Sequence, residues 1–175
     1  MEALKALSNR KSVRSYAKKT VPFGTLEKII NAARLAPTAC NVQPWEFVVL
    51  TEPGLLNALA DLCEHGKFIA GAGAAVIVSC KDTKYYLEDG CAATENILAA
   101  ATACGLGSCW VAGDKKAYAA QVLDLAGLPP GYRLVSVLAL GYPAKSVGSG
   151  PRKRALSEVL HWQQYGNKAA KSRKR

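Results

Sequence analysis

No stretch of the 175-residue sequence approaches the roughly 20 consecutive apolar residues that a membrane-spanning helix requires. The opening residues, MEALKALSNRK, lack the apolar centre of a secretory leader. These absences predict no membrane span and a cytoplasmic location. Histidine is scarce: His65 and His161 are too few and too isolated for a metal site. The six cysteines, at 40, 63, 80, 91, 104 and 109, form no CxxC pair. Neither a zinc ribbon nor a disulfide framework is indicated, and the cysteines are expected as buried thiols. The usual glycine-rich phosphate loops are missing as well. There is no GxxxxGK[ST]; GLGSCW at 105–110 has two glycines but follows a helical pattern and enters a strand, the reverse of the GxGxxG fingerprint.

What is present describes a compact chain. A hydrophobic fraction of 50% with 21% charged residues suits one domain, long enough to bury about 70% of its unfolded surface. The net charge is +10, and Lys168, Lys171, Arg173, Lys174 and Arg175 supply half of it from the terminal KAAKSRKR. With no aromatic to stack on a base, that stretch reads as a solvated basic tail, the alternative being contact with RNA, DNA or an anionic surface. A single domain over 1–165 and a tail over 166–175 are expected.

Periodicity supplies the elements between. Leu26, Ile29, Ile30 and Ala33 predict a helix after Gly24-Thr25 that ends before Pro37, and Glu46 to Leu50 predicts a strand. Thr51 and Pro53 open a second helix with Leu56, Leu59 and Leu62 on one face, closing near Gly66. AAVIVSC, 74–80, reads as a strand buried on both faces. The alanine-rich GCAATENILAAATACG, 90–105, predicts a helix that neighbours approach closely, at the core or at a subunit interface. A short strand at 108–112, a helix at 116–126, a turn at LPPG (128–131) and a strand at 134–140 complete an α+β or α/β chain.

Three polar constellations stand out. In NRKSVRSY, Arg10, Ser12 and Arg14 alternate with Lys11 and Val13, so an extended chain presents all three on one side. Such a face suits a phosphate, because guanidinium offers paired planar donors, and equally suits plain solvent. Arg152 and Arg154 repeat the alternation near the other end. APTACNVQPWEFVVL, 36–50, is over-equipped for a helix-to-strand connection: Pro37, Thr38, Asn41 and Gln43 crowd the residues before Trp45.

Taken in order, RKSVRSY, APTACNVQPWEFVV, ENILAAATACGLGSCWVAG and LALGYP followed by PRKRALSEV resemble the motifs of the nitroreductase family of flavin-dependent oxidoreductases, from about residue 4 to 162. The resemblance implies an α+β fold with a mixed, mainly antiparallel sheet flanked by helices, and a homodimer with two FMN sites at its interface. It implies that Arg10, Ser12 and Arg14 hold the FMN phosphate, ribityl chain and pyrimidine edge, with Lys11 contributing through its backbone. Arg152 and Arg154 would complete the phosphate site. Pro37, Thr38, Ala39 and Asn41 match the loop that reaches the other subunit's flavin, with Gln43 beside it and Trp45 packing it down. Thr38 stands where the family usually has Ser.

The implied chemistry is hydride transfer from NAD(P)H through FMN N5 to a small acceptor such as a nitroaromatic or quinone, in ping-pong order. Arg14 would face N1 and O2, and the Ala112–Gly113 backbone would face N5 with Trp110 nearby; no catalytic side chain is implied. Ala112 departs from the acidic residue that larger members often have there. The short stretch between Cys80 and the alanine-rich helix predicts an open pocket, because larger members insert helices in that region. Two alternatives are a flavin-binding sensor or carrier without turnover and a basic nucleic-acid-binding module.

Overall fold

The computed structural model describes residues 2–148, 150 and 152–168. Four strands, β1 (Trp45–Leu50), β2 (Ala74–Lys81), β3 (Gly107–Ala112) and β4 (Tyr132–Gly141), form one sheet in the order β1-β2-β4-β3. All three pairings are antiparallel. Among the described residues, the parallel character that the resemblance implies is confined to an isolated bridge between Ser12 and Ser108. Among the described residues no helix is long and apolar enough to cross a membrane.

Helices cover both faces of the sheet, which explains the uninterrupted apolar run of β2. Helices α2 (Phe23–Ala33) and α4 (Tyr86–Ala103) pack Leu26, Ile29, Ile97 and Leu98 against Val76, Val78, Leu138 and Leu140. On the other face α3 (Pro53–Leu62) and α5 (Ala119–Leu125) set Leu56, Leu59 and Val122 against Ala75, Ile77, Val137 and Ala139. Alternate residues of one strand therefore serve two cores, and each fully buried Val, Leu or Ile contributes about 1.5–3 kcal/mol. A short helix α1 (Ala3–Asn9), not anticipated from the sequence, buries only Ala6; α6 (Leu156–Val159) buries nothing.

Two local features place the candidate site. The β2–β4 register shifts between Val78 and Ser79, so Val78 faces Ser136 while Ser79 faces Leu134. The extra residue, Val135, bulges into the α4 core. A Cβ on Gly90 would lie 2.5 Å from Val135 Cγ2, so α4 approaches the bulge only because residue 90 is glycine. The connection from β2 to α4 is also very short, Asp82 to Tyr85, because α4 begins four residues before the expected 90. The LPPG turn forms as expected, with Gly131 at φ +95° and its carbonyl accepting the Asp82 N–H at 2.9 Å.

Candidate functional site

After α1 the chain leaves the helix at Arg10 (ψ 128°) and runs beside β3. The Val13 N–H donates to Ser108 O at 2.9 Å, and Val13 is buried where a Cβ on Gly107 would stand only 2.5 Å from its Cγ2. Tyr16 locks the segment from below: its hydroxyl donates to Val13 O at 2.6 Å, and burial pushes the phenol far above its ordinary value. With Val13 turned inward, Ser12 and Arg14 are forced outward and are exposed.

The outward face lines a cleft of about 550 Å³ with Arg10, Lys11, Ser12, Arg14 and Arg152, and among the described residues no carboxylate borders it. Residues from the two ends of the sequence thus meet in one cleft. Lys11 turns aside: its Nζ donates to Val147 O at 2.8 Å and ties the 145–148 segment to the cleft wall. Arg154 does not line the cleft; its Nη2 donates to Glu158 O at 2.6 Å and so braces α6. The arm around it continues as a hydrogen-bonded knot, with Lys168 Nζ donating to Glu158 O at 2.9 Å. The rest of the basic tail, from 169, and Pro151 lie outside the described residues.

Arg14 also borders a second cleft, of about 280 Å³, with His65, Phe68, Cys109, Trp110, Ala112, Lys116 and Tyr118. Its guanidinium carbon stands 5.8 Å from the Phe68 ring centre. Burial raises the Cys109 thiol, opposed by the nearby charge of Arg14. Trp110 is 37% exposed on the cleft. Next to it Ser108 Oγ is buried with no hydrogen-bond partner among the described residues. Gly113 is buried and lines neither cleft; a Cβ there would lie 2.9 Å from both Val135 C and O, so glycine is demanded by the bulged strand behind it. The Tyr118 hydroxyl donates to Ala112 O.

The 37–43 loop lies elsewhere. Cys40, Asn41 and Gln43 adopt φ of 51°, 55° and 50°, a left-handed conformation that costs non-glycine residues of order 1 kcal/mol or more each. Internal bonds hold it: the Gln43 N–H donates to Thr38 Oγ1 at 3.2 Å and Gln43 Nε2 to Asn41 Oδ1 at 2.8 Å. From α4 the buried Asp89 accepts the Ala39 N–H at 2.9 Å. Trp45 is buried and anchors the exit from the loop. The loop enters β1, whereas Arg10 to Arg14 run beside β3, at the opposite edge. Four strands at about 4.8 Å spacing put those edges some 14 Å apart. Neither of the two clefts above includes a residue of the 37–43 loop.

Several residues of the site escaped sequence reading. Lys116 and Tyr118 lie within five residues of Gly113 and could have been found by that proximity. His65, Phe68 and Asp89 gave no signal, because only the packing of α3 and α4 brings them in. The cysteines need one correction: all six are free, but Cys40 and Cys104 are exposed, since one sits on the strained loop and the other just past the end of α4.

The profile of the nitroreductase family matches residues 7–89 and 81–142. A protein of Archaeoglobus fulgidus, provisionally named NADH dehydrogenase/NAD(P)H nitroreductase, is 37% identical over 150 residues, covering 81% of this chain and 86% of its own length. A crystal structure from Bacteroides thetaiotaomicron, provisionally given the same name, superposes with a TM-score of 0.86 at 32% identity, covering 93% of this chain and 98% of that one. One from Desulfovibrio desulfuricans, described as a provisional nitroreductase in complex with FMN, superposes with a TM-score of 0.82 at 28% identity, covering 94% and 98%.

Proposed function

Because the chain belongs to the nitroreductase family, we propose that it is an FMN-dependent oxidoreductase that passes a hydride from NAD(P)H to a small acceptor, such as a nitroaromatic or a quinone, the two substrates using one pocket in turn. One observation carries this reading: Arg10, Arg14 and Arg152 surround Ser12 in a cleft without a facing carboxylate. Guanidinium groups so arranged match a phosphate dianion, since each fork donates two parallel hydrogen bonds. Convergence into a concavity favours a small phosphorylated ligand over a nucleic-acid backbone, which would need a basic ridge or stripe.

When bound, FMN supplies the ring N5 that receives and passes on the hydride. Arg10, Ser12 and Arg152 hold the phosphate and polar chain, with the Lys11 backbone between them. Arg154 enters indirectly, bracing α6 and through it the segment of Arg152. Arg14 stands where the two clefts join and offers positive charge to the pyrimidine edge, which becomes negative on reduction. Gly113 itself lines neither cleft, but Trp110 and Ala112 wall the second one, and a flavin ring lying against Ala112 would be within reach of the N–H of the Ala112–Gly113 peptide. Pro37, Thr38, Ala39, Asn41 and Gln43 act on the flavin of a second subunit, so the working unit is a homodimer. Residues 1–165 act as one domain. The four-residue connection before α4 leaves no covering helix, in keeping with an open pocket.

Purified protein should be yellow, or take up added FMN, and bleach anaerobically with NADH or NADPH. Colourless protein that cannot be loaded would reject the reading. Arg10→Ala should weaken FMN binding about 10- to 100-fold, the loss expected for a hydrogen bond to a charged group; titration with FMN measures it.

A further inference from the structure

On the side of the Ala112–Lys116 turn away from the clefts, charged and phenolic groups from four elements meet. The Tyr86 hydroxyl, at the start of α4, donates to Asp114 Oδ1 at 2.5 Å. Arg133 Nη2, near the start of β4, stands 3.9 Å from the same oxygen, and its Nη1 is 3.4 Å from Asp82 Oδ1. The Arg133 guanidinium carbon also lies 4.7 Å from the centre of the Tyr86 ring. The Asp114 side chain is only 11% exposed, whereas Lys115, 3.9 Å from its other oxygen, is 81% exposed. A carboxylate so withdrawn from water requires its partners.

The geometry is a clamp. On one side Gly113 is pressed against the backbone of Val135, and the Asp114 N–H donates to Val135 O at 3.3 Å. On the other, Asp114 is held by Tyr86 and Arg133. Between them Lys115 takes φ +57°, so the turn would relax if either side let go. A short bond to a charged acceptor fixes both distance and direction. The bond to Asp114, and then burial, raises the Tyr86 phenol, which keeps the donor protonated.

We propose that Asp114, held by Tyr86 and Arg133, is a positioning residue for hydride transfer: it fixes the Ala112–Gly113 peptide, whose Ala112 borders the second cleft, so that the Gly113 N–H would meet a flavin bound there, and the network thereby governs how readily the bound flavin is reduced. The functional half of this inference rests on the FMN reading above; the mechanical half rests on this chain alone.

Tyr86→Phe removes one hydrogen bond while keeping the ring beside Arg133, and Asp114→Asn removes the charge while keeping the shape. In the flavin-free protein, hydrogen exchange of the Gly113 to Lys116 amides should accelerate about tenfold in both variants, while β2 amides stay unchanged. In the FMN-loaded protein, anaerobic reduction by NAD(P)H should slow about tenfold with a shifted midpoint potential and FMN affinity within about twofold of the parent. Unchanged exchange overturns the clamp whether or not FMN binds. Faster exchange with unchanged reduction rate and potential overturns its part in hydride transfer. A parent protein that takes no FMN overturns the catalytic half together with the oxidoreductase reading, and exchange then decides the clamp alone. Should Asp114→Asn fail to fold, Tyr86→Phe, which keeps every charge, reads the same quantities.

Discussion

Arg14 owes its place at the junction of the two clefts to a residue that never touches them. Val13 is buried against Gly107, and its two neighbours have no choice but to face outward. This much was legible: the alternation in NRKSVRSY predicts one exposed face, and Arg10, Ser12 and Arg14 do share a cleft. The same pattern says nothing of Arg154, whose guanidinium finds a carbonyl in α6 instead. Burial also decides the fate of the thiols. It pushes Cys63 up to about 11 and Cys80 up to about 12, Cys80 with further help from the charge of Asp89. The unfolded chain releases these protons first, near the ordinary thiol value of 9.0. The contribution to stability is therefore complete below about pH 9 and is lost as the pH rises towards 11–12. Urea unfolding at about pH 8 and about pH 10.5 should show a smaller fall in midpoint for Cys80→Ala than for the parent; equal falls would clear the thiol of responsibility.

Among the elements, β2 and β4 were readable as strands because burial on both faces leaves them little but Val, Ile, Leu and Ala. The boundaries of α4 were not. Its first turn, Tyr86 to Asp89, has no apolar spacing of its own and is fixed by tertiary partners: Tyr86 bonds Asp114, and Asp89 bonds Ala39. The bulge at Val135 was equally silent in the sequence, yet it dictates glycine at both 90 and 113. Gly90→Ala should destabilise the chain by about 1–3 kcal/mol through overpacking. Val135→Ala in the same chain should recover part of that loss, as a denaturation series over the two single variants and the double variant would reveal. Additive losses would mean that the two side chains do not collide.

At the scale of the whole molecule, the two groups of candidate FMN residues occupy opposite edges of the sheet, beside β3 and at the entry to β1. In the proposed homodimer, each site would borrow the 37–43 loop of its partner. Heterodimers test the arrangement. Arg10→Ala and Asn41→Ala, each impaired in FMN retention, should rescue one another when unfolded and refolded together. A mixed dimer then has one doubly damaged and one intact site, so about a quarter of all sites should regain parental affinity. If the loop served its own chain, every mixed dimer would have two damaged sites and no rescue would appear.

By itself the sequence determined the α+β class, the strand order along the chain, the outward face of Arg10 to Arg14 and the family, because each of these is written in local periodicity or in ordered motifs. Only the tertiary structure decided which basic residues share a cleft, why residues 90, 107 and 113 are glycine, and that Tyr86 bonds Asp114. Those outcomes depend on bringing together residues far apart in sequence, such as Arg10 and Arg152, which line one cleft from 142 positions apart. Closing such distances is the work of the buried sheet, which no local pattern records.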